Sequence, residues 1–285
     1  MNRLVGTPRR LLLYAREDAL DARREHQVHT LWGLFGLVGL VITYTASQGT
    51  GAGVRSEPVG MVASLFAPLV LLVPLVALGF VATTIVEKRR SGALTVLLGL
   101  PFARRTVVLG TLLGRSAVIA SAPLIALLAA LPVALATDVA VDPGRLIAAA
   151  VALSLLATTF VAIAVAISTL ARSTMLATVT AFGAYVVFVF DGWSQLPAVI
   201  RYVIHGFERP ETTATWVEVV AATSPITAFA NMLAGISPSL TDASIASAAE
   251  NPELWEEPAV AGAILVGWIV ASTGIAAWRF RATDI

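Results

Sequence analysis

Glu87-Lys88-Arg89-Arg90-Ser91-Gly92-Ala93-Leu94-Thr95-Val96-Leu97-Leu98-Gly99-Leu100-Pro101-Phe102-Ala103-Arg104-Arg105 separates two long apolar runs. It reads as a basic elbow with a small amphipathic centre. Ser91 is placed to cap a short helix, Leu94, Leu97 and Leu98 share one side at i, i+3 and i+4, and Gly99 with Pro101 stops it. A helix this short does not stand alone in water, so its leucine side needs cover from neighbouring helices, lipid or a partner. A plain basic loop would need neither the capped leucine face nor the stop.

The flanking runs set the class. Of 285 residues, 57% are apolar and 13% charged, with a mean hydropathy of +0.83, whereas a soluble domain carries about 25% charged residues. A bilayer core about 30 Å thick takes roughly 20 apolar residues per helix, and six segments qualify: 28–47, 61–86, 107–131, 145–170, 174–191 and 258–279. The expected fold is an all-α integral membrane protein. Residues 1–27 form an interfacial helix, and 28–285 form one transmembrane domain with the elbow at 87–105 and an external segment at 192–257.

With both termini inside, Arg3, Arg9, Arg10, Arg16, Arg23, Arg24, Lys88, Arg89, Arg90, Arg104, Arg105, Arg115, Arg172, Arg279 and Arg281 fall on the inner side. Only Arg55, Arg145, Arg201 and Arg209 fall outside, fifteen cations against four. Basic residues near span ends orient membrane helices, so the elbow is expected to face the cytosol and the protein to sit in the cytoplasmic membrane. A cleaved signal is not expected, because the apolar stretch Leu11 to Ala15 is short and charges follow at once.

Thr7-Pro8 starts a helix well, with Leu12, Ala15, Ala19 and Ala22 on one face against the membrane surface. Glu17, Asp21 and Glu25 form an acidic row, read as a solvated face or a contact for a basic partner. Pro68 and Pro74 in the second span and Pro123 in the third either kink their helices or are tolerated there because neighbouring helices re-satisfy the freed backbone groups, and Pro132 is expected to end the third. Asp142-Pro143-Gly144 caps the fourth, and Ala171-Arg172-Ser173-Thr174 turns tightly into the fifth. In the external segment, Leu196 to Phe207 and Trp216 to Ala222 fit short helices. Ser224-Pro225 starts another, Ile226 to Ile236, too short to span and read as re-entrant or interfacial.

Chemistry is sparse. The single lysine, Lys88, stands in no Gly-x-x-x-x-Gly-Lys-Ser/Thr cradle, so this chain is not itself a P-loop ATPase. His26 and His29 have helical spacing but no third ligand beside them, and the absence of cysteine excludes disulfides and thiolate metal sites. No catalytic, cofactor or metal site is expected. The middles of the proposed spans carry no charge, which argues against proton relays. Ser154 and Thr158, at i, i+4, either line a pathway or bond back to their own helix. Gly110 and Gly114 form a small-residue ledge suited to close packing, within the monomer or in a dimer, and Gly33, Gly36 and Gly39 do so less regularly. With no cysteine and four methionines, a copper relay has few soft ligands; a hydrophobic or amphipathic cargo is easier to accommodate.

Glu-x-x-x-Ser-Gly-x-Leu-x-x-Leu-Leu-x-x-Pro-x-x-Arg followed by Val-x-x-Gly-x-x-x-Gly, here Glu87 through Gly114, resembles the signature of type-2 ABC transporter permeases, with a flavour of the permeases of nitrous-oxide-reductase maturation systems. The resemblance extends over nearly the full length. It implies an amphipathic N-terminal helix, six spans with both ends cytosolic, a coupling helix between spans two and three, and re-entrant pieces before span six. On it, Glu87 sits at the foot of span two, Ser91 to Leu100, with Gly92, Leu94, Leu97 and Leu98, is the coupling helix that docks in an ATPase, Arg104 and Arg105 open span three, and Arg89 and Pro101 belong with them to the ATPase-coupling set. Many family members place lysine where this chain has Thr111, so a charge at that point is not implied. The implied partners are an ABC-type ATPase subunit, a second permease copy in a homodimer or related heterodimer, and membrane lipid, with no nucleic acid. The implied activity is ATP-driven export. Read without the resemblance, the residues leave open a membrane scaffold that recruits a partner, and a channel working without nucleotide.

Overall fold

The computed structural model describes residues 7–24, 26–49, 60–94, 104–208, 214–244 and 253–281, and among these every regular element is a helix. In chain order they are α1 (Thr7–Arg24), α2 (His26–Gly49), α3 (Met61–Val81), α4 (Thr84–Arg90), α5 (Arg104–Ala136), α6 (Pro143–Leu170), α7 (Thr174–Val189), α8 (Gly192–Ile204), α9 (Thr215–Ala222), α10 (Pro225–Ile236), α11 (Pro238–Asp242) and α12 (Pro258–Arg281).

Among the described residues, five stretches are long and apolar enough to cross a membrane: Val28–Gln48, Met61–Arg90, Arg105–Ala136, Pro143–Leu170 and Pro258–Phe280. The stretch expected as a fifth span, 174–191, differs from these. At 1.5 Å per residue the 16 residues of α7 reach about 24 Å, short of a core about 30 Å thick. Helix α8 continues from it at 78°, and α9 and α10 form a second pair bent by 82°. By length and composition the described residues thus hold five candidate spans, or up to seven if each bent pair is one span.

Helix α6 is the axis of the bundle. It packs against α3, α5 and α12, and every residue from Thr159 to Thr169 is buried. Lipid supplies no hydrophobic drive between helices, so close packing of small residues must hold them, and the buried alanines 149, 152, 157, 162, 164 and 166 meet that need. Helix α2 lies against α5 by the same means: a β-carbon on Gly39 would run into the Ala126 carbonyl.

The Asp142 cap holds, and the turn at 171–174 supplies a second cap. The Asp142 carboxylate accepts from Gly144 N at 2.8 Å and Arg145 N at 3.3 Å, and Ser173 Oγ accepts from Leu176 N at 3.2 Å. Three helix readings change. Helix α5 passes through Pro132 to Ala136, because a proline near the end removes one bond while Thr137 N to Val133 O and Val139 N to Ala134 O, both 3.0 Å, keep the last turn closed. The second span breaks at no proline; α3 is continuous through Pro68 and Pro74, and the interruption falls at Ala82-Thr83. Helix α1 is rotated from the expected face: Tyr14, Ala15, Asp18 and Ala22 are buried, whereas Leu12 is 65% exposed.

The region after α7 folds back on the bundle. Helix α10 is buried from Pro225 to Ile226 and from Ala228 to Leu233. The α7–α8 bend turns at Asp191 with φ +60° and is pinned by indoles. Trp193 Nε1 donates to Val220 O and Thr223 Oγ1, both at 3.1 Å, and Trp268 Nε1 donates to Thr223 O at 2.8 Å. Phe188 packs against both rings, 5.5 and 5.2 Å from their centroids, and the two indoles lie 5.8 Å from each other.

Candidate functional site

The break at Ala82-Thr83 makes α4 a separate stub between the second span and the elbow. The first amides of any helix lack intrahelical carbonyls, and inside a membrane no water replaces them. Here Ser168, buried near the end of α6, supplies the acceptor: its Oγ takes the Ile85 amide at 2.9 Å and, more distantly, the Val86 amide at 3.4 Å. At the other end of the stub, Arg89 donates through Nη1 to Ala171 O and through Nη2 to Thr169 O, each at 3.2 Å. A guanidinium suits that place, since the last carbonyls of a helix carry partial negative charge and its planar fork reaches two acceptors. Arg90 Nη1 adds a bond to Thr174 Oγ1 at 3.1 Å. The stub is thus fastened to the turn between α6 and α7.

Ser91 closes α4 rather than opening the next helix. Its amide bonds Glu87 O at 2.9 Å, and Gly92 follows at φ +75°, a left-handed stop where a side chain would be strained. Helical geometry resumes at Ala93 and Leu94, and Leu94 is fully buried.

The second tie to the stub is ionic. Lys88 donates to Asp18 Oδ1 of α1, and also to Tyr14 Oη at 3.3 Å. The other oxygen, Asp18 Oδ2, lies 3.3 Å from Arg115 Nε on α5. The Asp18 side chain is 1% exposed, Arg115 9% and Lys88 24%. Burying charge is costly unless it is paired, and one carboxylate here serves two cations from two helices. The glycine ledge brings them together. A β-carbon on Gly110 would enter the Tyr14 ring, and one on Gly114 would lie 2.6 Å from Ala15 O and 3.1 Å from Ala19 N. In this chain the ledge is therefore occupied by α1, and the close crossing delivers Asp18 to Arg115, the residue after Gly114.

Beside this junction a groove of about 1050 Å³ runs along the second span, apolar at Leu75, Val76 and Phe80 and polar at Thr83, Glu87 and Lys88. Glu87 is exposed in it. A smaller space of about 130 Å³ continues from Leu75 and Gly79 toward Tyr185, whose hydroxyl donates to Leu71 O at 3.4 Å.

The structure thus brings Glu87, Arg89, Ser91, Gly92 and Leu94 together on the stub and its exit. Leu97, Leu98 and Pro101 lie outside the described residues. Arg104 and Arg105 open α5, and Arg105 is exposed. Ser154 and Thr158 are half-buried and bond back along their own helix, to Ala150 O at 2.7 Å and Ser154 O at 2.8 Å. His29 packs edge-on against Trp32, and no cluster of metal-ligating side chains occurs among the described residues. Two participants escaped the sequence reading. Asp18 was passed over for its exposed neighbours Glu17 and Asp21, though it shares the i, i+4 stripe of Tyr14 and Ala22. Ser168 was one hydroxyl among many, and its position in the last turn of an apolar helix was the only signal.

The sequence profile of ABC-2 family transporter proteins matches residues 13–285. A relative in Pseudomonas aeruginosa, described as the probable ABC transporter permease protein NosY, is 31% identical over 180 residues, which is 61% of this chain and 65% of that protein. The chain therefore spans just under two thirds of that relative's length. A helical bundle with several helices of spanning length and a family profile matched over nearly the whole sequence lead to one conclusion: the chain belongs to the ABC-2 transporter family and is a multi-pass membrane protein.

Proposed function

We propose that this chain is the permease subunit of an ABC exporter, in which two permease copies form the pathway and two separate ATP-hydrolysing subunits drive it from the side of the elbow. On this reading the basic end faces the cytosol. Closure of the ATPase pair on nucleotide pushes residues 87–105, and the spans tilt between inward-facing and outward-facing states. The observation that carries the proposal is the fastening of α4. A push delivered next to a helix break would dissipate as bending at Ala82-Thr83. Ser168 and Arg89 instead carry it into the end of α6, the most buried of the long helices, and Arg90 carries it to the start of α7. Cargo enters the same account by charge: the wall at Leu75, Val76 and Phe80 is apolar, so a hydrophobic or amphipathic molecule fits better than a multiply charged one.

The test is purification of the chain with its ATPase, reconstitution into vesicles, and replacement of Leu97, Leu98, Arg104 and Arg105 by alanine. ATP hydrolysis is expected to persist while transport per ATP falls steeply. Unchanged partner binding together with unchanged transport would overturn the coupling role of the elbow. An ATPase that binds the parent chain without any change in turnover would favour a scaffold.

A further inference from the structure

We infer that Asp18 is a positioning residue for the elbow: its carboxylate clamps Lys88 of α4 to Arg115 of α5, making α1 a lever that moves with the foot of the second span. The consequence for transport rests on the exporter reading, whereas the clamp itself does not.

The argument is one of charge and enclosure. Lys88 and Arg115 are two cations on separate helices, and Asp18 is the carboxylate ion-paired to both. Glu87, an acid that lines the adjacent groove, is exposed to solvent. With its side chain 1% exposed, Asp18 cannot be replaced by water at this point, so its loss removes the ionic tie from α1 to α4 and an ionic tie from α1 to α5 together. The ledge adds constraint. Backbone meets backbone at Gly114 and Ala15, so α1 is held on α5 at a fixed height, and the reach of Lys88 to Asp18 and Tyr14 then sets where α4 sits. Displacement of α4 by more than a hydrogen bond's tolerance either drags α1 along or breaks the clamp. The fastening to α6 passes a push inward, and the clamp sets the position from which it starts.

The chain has no cysteine, so spin labels at Arg16→Cys on α1 and Ala93→Cys after α4, both exposed positions, report one intramolecular distance when labelled chain is diluted into unlabelled chain in nanodiscs. The parent is expected to give a single narrow distribution. Asp18→Asn is expected to broaden it by several ångströms, and Asp18→Glu to restore most of the narrowness. Lys88→Met leaves Asp18 paired with Arg115, guards against a folding failure of the asparagine variant, and is expected to broaden the distance in the same way. The double variant should be no broader than either single one, as expected for residues acting through one bond. With the ATPase present, Asp18→Asn should lower transport per ATP by about tenfold, the scale of a lost charge-assisted bond. An unchanged distance distribution in both Asp18→Asn and Lys88→Met would overturn the inference. If no ATPase assembles with the parent chain the exporter reading fails, while the distance measurement still decides the clamp.

Discussion

Replacing Ser168 by alanine removes the acceptor that the Ile85 amide uses at 2.9 Å. The longer contact from Val86, at 3.4 Å, is weak by geometry and adds little. Interhelical side-chain bonds in a bilayer average about 0.6 kcal/mol, which sets a floor. The actual cost is larger, because the stranded group is a backbone amide at a buried helix start, and an unsatisfied buried donor costs about 1–3 kcal/mol. A loss of about 2 kcal/mol corresponds to roughly thirtyfold in the folding equilibrium, since about 1.4 kcal/mol is tenfold. Ser154→Ala is the matched control. Its hydroxyl bonds only to a carbonyl of its own helix, at 2.7 Å, and that carbonyl keeps its helical partner, so the change should stay within about 0.5 kcal/mol. Reversible unfolding in mixed micelles, followed by helical circular dichroism, measures both variants, and hydrogen exchange at Ile85 localises the effect to α4. Equal stability of the two variants, with Ile85 exchange unmoved in Ser168→Ala, would refute the view that this hydroxyl fastens the stub.

Two further outcomes follow from close contacts. Gly114→Ala puts a β-carbon 2.6 Å from Ala15 O, so α1 must lift off α5 and stability should fall by about 1–3 kcal/mol, whereas Gly33→Ala, with nothing within 4 Å, should be neutral in the same thermal melt. Trp268→Phe keeps the ring against Phe188 but loses the bond to Thr223 O at 2.8 Å, with a cost of about 1 kcal/mol and a change in near-ultraviolet circular dichroism reporting the α7–α8 bend.

What could be read from the sequence was what is locally determined. Apolar runs, the Asp142 cap, the turn at 171–174 and the start of α10 at Pro225 depend on residues a few positions apart, and they fall where expected. What could not be read depends on distant partners. On α1 the stripes through Leu12 and through Tyr14 compete almost evenly, and the choice is made by the glycines and Arg115 on another helix, which accept Asp18 and leave Leu12 outward. The break at Ala82-Thr83 contains neither glycine nor proline. It is sustained by a hydroxyl more than eighty residues away, and no local pattern encodes that. The stretch 174–191 looked long enough to span because its apolar residues were counted through Phe190, while the helix ends at Val189 and the chain bends at Asp191.

The same distinction changes what the cations mean. Counted along the chain, Lys88, Arg89, Arg90 and Arg115 serve as orientation signals, interchangeable with any other basic residue near a span end. In the fold each has a particular partner: Asp18 takes a hydrogen bond from Lys88 and ion-pairs with Arg115, the Thr169 and Ala171 carbonyls accept from Arg89, and Thr174 accepts from Arg90. A lysine in place of Arg89 would preserve the count and lose the fork that reaches two carbonyls. Charge number can therefore set which side the elbow faces, while charge position sets whether a push on the elbow reaches the bundle. Substitutions that conserve the first and alter the second separate insertion from coupling.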